Sequence, residues 1–143
     1  MNDDYQISVN FRLGEFFVSK KAEALNIINR PKSIAEQEVV LNNIVLLVTK
    51  LLQPLRGVDG RPIVIDSGYR TVELNRAVGG VYNSQHLVGQ AVDICRQNPN
   101  ELIVLLRASH LVFDQAITYK SKPHLLHLSY KATGNRNMIL YRE

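Results

Sequence analysis

The chain predicts an α+β fold in which a small, mostly antiparallel sheet packs against helices. Three observations carry that expectation. Residues 33–55 hold apolar side chains at helical spacing, with Leu41, Ile44, Val48, Leu51, Leu52 and Leu55 on one face. Short runs with the alternation of half-buried strands then occupy the second half, and the spacings between them are short enough for hairpins. At 143 residues, 45% hydrophobic and 21% charged, the chain suits one domain with a proper core, spanning residues 1–143.

The elements follow in order. Ser19 reads as the cap of a short helix over residues 19–26, and Asn29-Arg30-Pro31 turns the chain. Ser33 and Glu36 form a capping box at the head of the long helix. Val45, Leu46 and Leu47 widen its apolar face, and Pro54 is expected to kink or end it before Gly57 and Gly60. Residues 62–66 read as a short strand. Thr71 caps a brief helix that Gly79-Gly80 stops. Residues 89–95 alternate like a strand, and Asn98-Pro99-Asn100-Glu101 opens a helix reaching about residue 109, where the His110 side chain is expected to cap the C-terminus. Further strands are expected over residues 111–118, 125–131 and 138–141.

Several classes of function are disfavoured. Met1-Asn2-Asp3-Asp4-Tyr5 lacks the basic-then-apolar pattern of a secretion signal. The longest apolar run, residues 44–52, is interrupted by Thr49 and Lys50 and is shorter than a membrane span. The expectation is a soluble monomer made in the cytoplasm without a signal peptide and without membrane insertion. A net charge of +4 suits an anionic partner, but the Lys and Arg residues are scattered and not interleaved with aromatics, so no nucleic-acid partner is expected. Cys95, the single cysteine, excludes an intrachain disulfide and reads as a buried strand residue.

The residues that carry chemistry lie in two strand-like segments. Ser84-Gln85-His86-Leu87-Val88-Gly89-Gln90-Ala91-Val92-Asp93 sets an imidazole and a carboxylate seven residues apart. His124-Leu125-Leu126-His127-Leu128-Ser129-Tyr130 offers a further imidazole. On a regular strand Gly89, Ala91 and Asp93 share a face, so positions 89 and 91 would leave open space beside the carboxylate. If the two strands are neighbours, His86, Asp93 and His127 can converge on one ion. Two His and one Asp make a three-ligand zinc site with a position left for water and substrate. The same residues also read as a plain ion pair, because the spacing is not a compact metal motif.

A third block, Ser67-Gly68-Tyr69-Arg70 followed by Leu74-Asn75 and Gly79-Gly80, changes the weighting. Together with Ser84-Gln85-His86 through Asp93-Ile94, and His127-Leu128-Ser129-Tyr130, it resembles the zinc D-alanyl-D-alanine peptidases of bacterial cell-wall metabolism. That family includes D,D-carboxypeptidases, D-Ala-D-Ala dipeptidases and phage endolysins, and shares the Hedgehog/DD-peptidase fold. Leu52-Gln53-Pro54-Leu55-Arg56 is similar to a helix end in its phage-type and Bacteroides-type members, and the resemblance runs over about residues 10–141.

The resemblance implies zinc (Zn2+) held by His86, Asp93 and His127, with Arg70 as the electrophilic residue beside it. It implies substrate contacts from Ser84, Gln85, Tyr69 and Ser129, and a peptidoglycan stem peptide as the substrate, cut at D-Ala-D-Ala or another amide involving a D-residue. Arginine suits its role because it stays protonated and can brace an oxyanion or a terminal carboxylate through two hydrogen bonds. A leaderless member of this kind suggests a phage or prophage lysis enzyme that reaches the wall after release by a holin.

The pattern departs where a proton carrier is needed. His124 stands where several relatives carry Glu or Asp, Tyr119 stands at another acidic position, and Leu125 replaces a Trp. His124 is one candidate base, although it faces away from His127 on a regular strand. Asp114 is another, or it holds a structural hydrogen bond. The missing carboxylates leave room for a different class of function, a catalytically impaired module that binds peptidoglycan or a partner. A structural part of a phage particle or secretion apparatus is a third.

Overall fold

The computed structural model describes residues 1–143. The chain begins with a hairpin of β1 (Gln6–Ser8) and β2 (Phe11–Arg12), whose strands are too short for periodicity to reveal in the sequence. A 3-10 turn, Leu13–Phe16, follows and buries Leu13 and Phe16. Helix α1 (Lys20–Leu25) starts at Ser19, whose Oγ accepts the Ala22 N–H at 3.1 Å.

Helix α2 (Ile34–Leu47) starts at Ser33, which accepts the Glu36 N–H at 3.0 Å. Pro54 neither ends nor breaks the helical run. A π turn, Val48–Leu52, precedes it, and α3 (Gln53–Asp59) continues to Gly60. The reason is geometric. Proline lacks an N–H and crowds the carbonyl four residues back, whereas a π turn is wider by one residue and shifts that carbonyl aside. The bond from the Gln53 N–H to the Val48 carbonyl marks that wider turn. Pro54 then occupies the first turn of α3, where no N–H is required.

The run Ile34–Asp59 is 26 residues long with a mean hydropathy of 1.3 over its most apolar stretch, which reaches the length and composition of a membrane span. The expectation of a shorter apolar segment is thereby corrected. Its apolar stripe faces protein: Val40, Ile44, Leu47, Val48, Leu51, Leu52 and Leu55 are all buried in the core.

The larger sheet comprises β3 (Val64–Ser67), β4 (Ala91–Cys95), β5 (Gln115–Tyr119), β6 (Leu125–Ser129) and β7 (Met138–Arg142), in the order β3-β4-β6-β5-β7. Its pairings are antiparallel except for the parallel β5–β7 edge, so the sheet is mixed. Between β3 and β4 lies α4 (Val72–Ala77), capped by Thr71 through the Leu74 N–H at 3.1 Å. Helix α5 (Asn100–Ala108) connects β4 to β5. Its exit is closed by the backbone: His110 takes a left-handed φ of 56° and its N–H reaches the Arg107 carbonyl at 3.3 Å, in place of the side-chain cap expected there.

One face of the sheet, with Val92, Ile94, Ala116, Leu126 and Leu128, joins the central helix and α5 in a single cluster of 22 buried residues. The alternating residues on the other face form one row across all five strands. A register shift between Ile65 and Ser67 brings Ser67 opposite Asp93; Asp93 pairs with His127, His127 with Ile117, and Ile117 with Leu140.

Gly68 ties this row to the rest of the core. A Cβ there would lie 2.6 Å from the Phe16 carbonyl oxygen and 2.9 Å from its Cα, and the adjacent Tyr69 N–H donates to that same oxygen at 2.7 Å. Gly68→Ala must therefore push two backbones apart, and a loss of about 2–4 kcal/mol in urea unfolding is expected. A variant as stable as wild type would show that the contact is not needed.

Candidate metal centre and its cleft

Asp93 and His127 are direct cross-strand partners at the middle of β4 and β6, so the ladder itself brings a carboxylate and an imidazole together. His86 comes from a separate segment, a 3-10 turn of residues Gln85–Val88 whose first amide is capped by Ser84: its Oγ accepts the His86 N–H at 3.2 Å. Gly89 ends that turn with a φ of 79° and abuts Val40 and Ile44 of α2. Gly89 is thus outside the strand, and Ala91 is buried; neither opens space beside Asp93 as the alternation suggested.

His86 Nε2 and His127 Nδ1 each lie 3.3 Å from Asp93 Oδ1, and the three ligand atoms all lie within 4.8 Å of one another. Ligands held about 2.0–2.1 Å from a tetrahedral zinc ion are separated by about 3.3–3.4 Å, so the two spacings of 3.3 Å match two edges of such a site. The proton inventory agrees. His86 Nδ1 lies 2.7 Å from the Gly68 carbonyl, which can only accept, so Nδ1 carries the proton. In neutral His86 the Nε2 lone pair then faces a carboxylate, an arrangement that a cation between them resolves. Burial opposes ionisation of Asp93, but the contacts from His127 and His86 outweigh it and hold the carboxyl well below its usual range. The donor set, its spacing and its protonation fit zinc.

Arg70 completes the centre. Its Nη2 donates to Asp93 Oδ2 at 3.1 Å, its Nε to Ser67 Oγ at 3.1 Å and its Nη1 to Asn75 Oδ1 at 3.2 Å. Three of its five N–H groups are thus engaged, leaving two for an oxygen in the cleft. Burial lowers the Arg70 pKa and Asp93 opposes that shift; arginine starts high enough to stay charged. Each residue of the Ser67-Gly68-Tyr69-Arg70 block has a separate task. Ser67 orients the guanidinium, Gly68 fixes the His86 tautomer, and Tyr69 anchors the segment by packing its ring on Phe17, with centroids 5.8 Å apart. Tyr69 is accordingly a core residue and does not line the cleft, contrary to the substrate contact expected of it.

The centre opens into a cleft of about 730 Å³ whose walls include Arg70, Ser84, Gln85, His86, Asp93 and His127. Four other candidates lie outside these walls. Besides Tyr69, Ser129 is fully buried and its Oγ accepts the Gln115 N–H at 3.0 Å, joining β6 to the start of β5. His124 is exposed ahead of β6, with Nδ1 at 3.0 Å from the Gln97 carbonyl, so it does not face the triad. Asp114 is fully buried behind the wall.

Asp114 acts through its neighbours. Its carboxylate accepts from Arg136 at 2.8–2.9 Å and from Gln85 Nε2 at 2.9 Å, and lies 3.7 Å from Lys131 Nζ. All three partners line the cleft. Residues that sequence reasoning missed as site components include Asn75, Gln115, Tyr119, Lys122, Lys131, Arg136 and Arg142. Asn75 carried a signal in its motif; the basic residues had none, because they reach the cleft only through strand pairing and turns. Tyr119 is half-buried, and burial together with the Asp93 charge pushes its phenol up, so it remains protonated.

Hydrogen bonding from Arg136 outweighs burial and brings the Asp114 carboxyl down to about 2 from its ordinary 3.8. Because the folded pKa is depressed, the stabilisation is present above about pH 4 and disappears as pH falls through about 2, worth on the order of 2 kcal/mol. Asp114→Asn should lower stability at pH 7 by about 1–3 kcal/mol and flatten the decline between pH 4 and pH 2, as followed by urea unfolding. An acid limb as steep as that of wild type would refute the assignment.

The comparisons with known proteins bear directly on this centre. None of the curated proteins matches the chain. The family model described as Peptidase M15 matches residues 11–129, a span that contains Arg70, both histidines of the triad and Asp93. The chain belongs to the M15 family of zinc peptidases.

Proposed function

We propose that the chain is a zinc-dependent hydrolase of peptidoglycan stem peptides, cutting an amide that involves a D-residue, such as D-Ala-D-Ala. The observation that carries the reading is a His86–Asp93–His127 triad in which both histidines lie 3.3 Å from the carboxylate, with a pre-oriented Arg70 beside it, in a cleft large enough for a peptide. Zinc held there would polarise the scissile carbonyl and make water nucleophilic near neutral pH.

The protein's own groups perform the rest. Arg70, held on three sides, directs its two free N–H groups at an oxygen that gains charge, without reorganising during the reaction. Gln85, which lines the cleft, is fixed through its amide nitrogen by Asp114. Activity on the wall requires that the protein leave the cytoplasm, as a phage lysis enzyme does.

One observation favours a second reading. Apart from Asp93, no carboxylate lines the cleft, and neither does a histidine outside the triad. A chain that binds wall peptides without cutting them would need no proton carrier.

Metal analysis and digestion of purified sacculi separate the two. Wild type is expected to bind about one zinc per chain and to release peptide products, and His86→Ala to lose both. Arg70→Ala should keep the metal and lose about 10²–10³-fold in kcat. Metal-replete wild type without zinc would overturn the hydrolase reading. Equal behaviour of wild type and His86→Ala on sacculi would support binding alone.

A further inference from the structure

We propose that Lys122, Arg142 and Tyr119 form an anion subsite at one end of the cleft, which selects peptides bearing a free carboxylate about two residues from the scissile amide. The inference rests on the peptidase reading of the cleft. The cleft is lined by Arg70, Lys122, Lys131, Arg136 and Arg142 against a single carboxylate, Asp93. Most of these charges are engaged: Arg70 with Asp93, and Arg136 and Lys131 with Asp114. Glu143, the acidic residue next to Arg142 in the chain, pairs with Lys120 at 3.8 Å. Lys122 and Arg142 are left without an acidic partner, and a cleft with uncompensated charge concentrates anions.

Their position is set by topology. Parallel pairing of β5 and β7 brings Arg142 beside Tyr119, and Lys122 follows in the turn that leads to β6. Two cations and a hydroxyl donor thus line the same cleft, Arg142 and Tyr119 as strand partners and Lys122 from the adjoining turn. Arginine can hold a carboxylate through two parallel N–H bonds, and the lysine adds a point charge. Tyr119 is two residues along β5 from Ile117, which shares the row of Asp93 and His127. At roughly 3.3 Å per residue the subsite lies about 7 Å from the triad row, the span of two extended peptide residues. The carboxylate it fits is therefore one placed beyond the amide that Arg70 addresses.

The test uses two non-cleavable stem-peptide analogues that differ only at that position, one with a carboxylate and one with a carboxamide. In calorimetric titration, wild type should bind the acid roughly tenfold more tightly than the amide, and high salt should shrink the ratio. Lys122→Gln/Arg142→Gln should bind both analogues equally, with the affinity of wild type for the amide. Both positions are exposed, so folding should be unaffected, which thermal melting checks. Equal binding of acid and amide by wild type, or an unchanged ratio in the double variant, would overturn the subsite. Parallel hydrolysis of the cleavable peptides separates the two readings. Acid-selective binding without cleavage leaves the subsite standing and removes the peptidase; cleavage with no acid preference does the reverse.

Discussion

A carboxylate enclosed by protein stays ionised only where positive or hydrogen-donating groups surround it, and Asp93 collects such groups from three separate parts of the chain. His127 comes from the neighbouring strand, His86 from a capped turn, and Arg70 from the loop after β3. Removing any of them leaves the same charge less compensated. The Gly68 carbonyl, Ser67 and Asn75 matter because they hold those partners in the orientations that Asp93 requires. A divalent ion at the same point meets the same electrostatic demand more strongly, so the metal centre and the local fold share one cause.

The sheet can present this arrangement because its other face is fully committed to the core. Val92 and Ile94 flank Asp93 in sequence, Leu126 and Leu128 flank His127, and all four are buried against the helical layer. A register slip by one residue would turn the ligands into the core and the aliphatic residues into the cleft. The long central helix backs that packing through a proline that the wider turn of Val48–Leu52 accommodates. The segment is apolar enough to resemble a membrane span, yet its buried stripe is the one that the sheet covers.

A second buried carboxylate organises the cleft wall. Asp114 holds Gln85 from the turn before β4 and Lys131 and Arg136 from the segment between β6 and β7, without reaching the cleft itself. Asp93 and Asp114 thus divide the work. One is the negative pole of the metal centre, and the other neutralises charge behind a wall that would otherwise repel its own members.

The sequence by itself determined most of the helices, the strands of the larger sheet and the candidate ligands. Caps at Ser19, Ser33 and Thr71 act within a single helical turn, and strand alternation is a local pattern, so both can be read from neighbouring residues. His86, Asp93, His127 and Arg70 are readable because three short blocks carry them in a characteristic order, although their spacing is not that of a compact metal motif. Tertiary structure alone decided which way the remaining candidates face. Tyr69 and Ser129 turn inward because ring packing and strand pairing claim them, and Asp114 and His124 find partners away from the triad. The basic lining of the cleft came from the parallel β5–β7 pairing and the turns beside it. Such contacts join residues far apart in the chain, and no local periodicity records them.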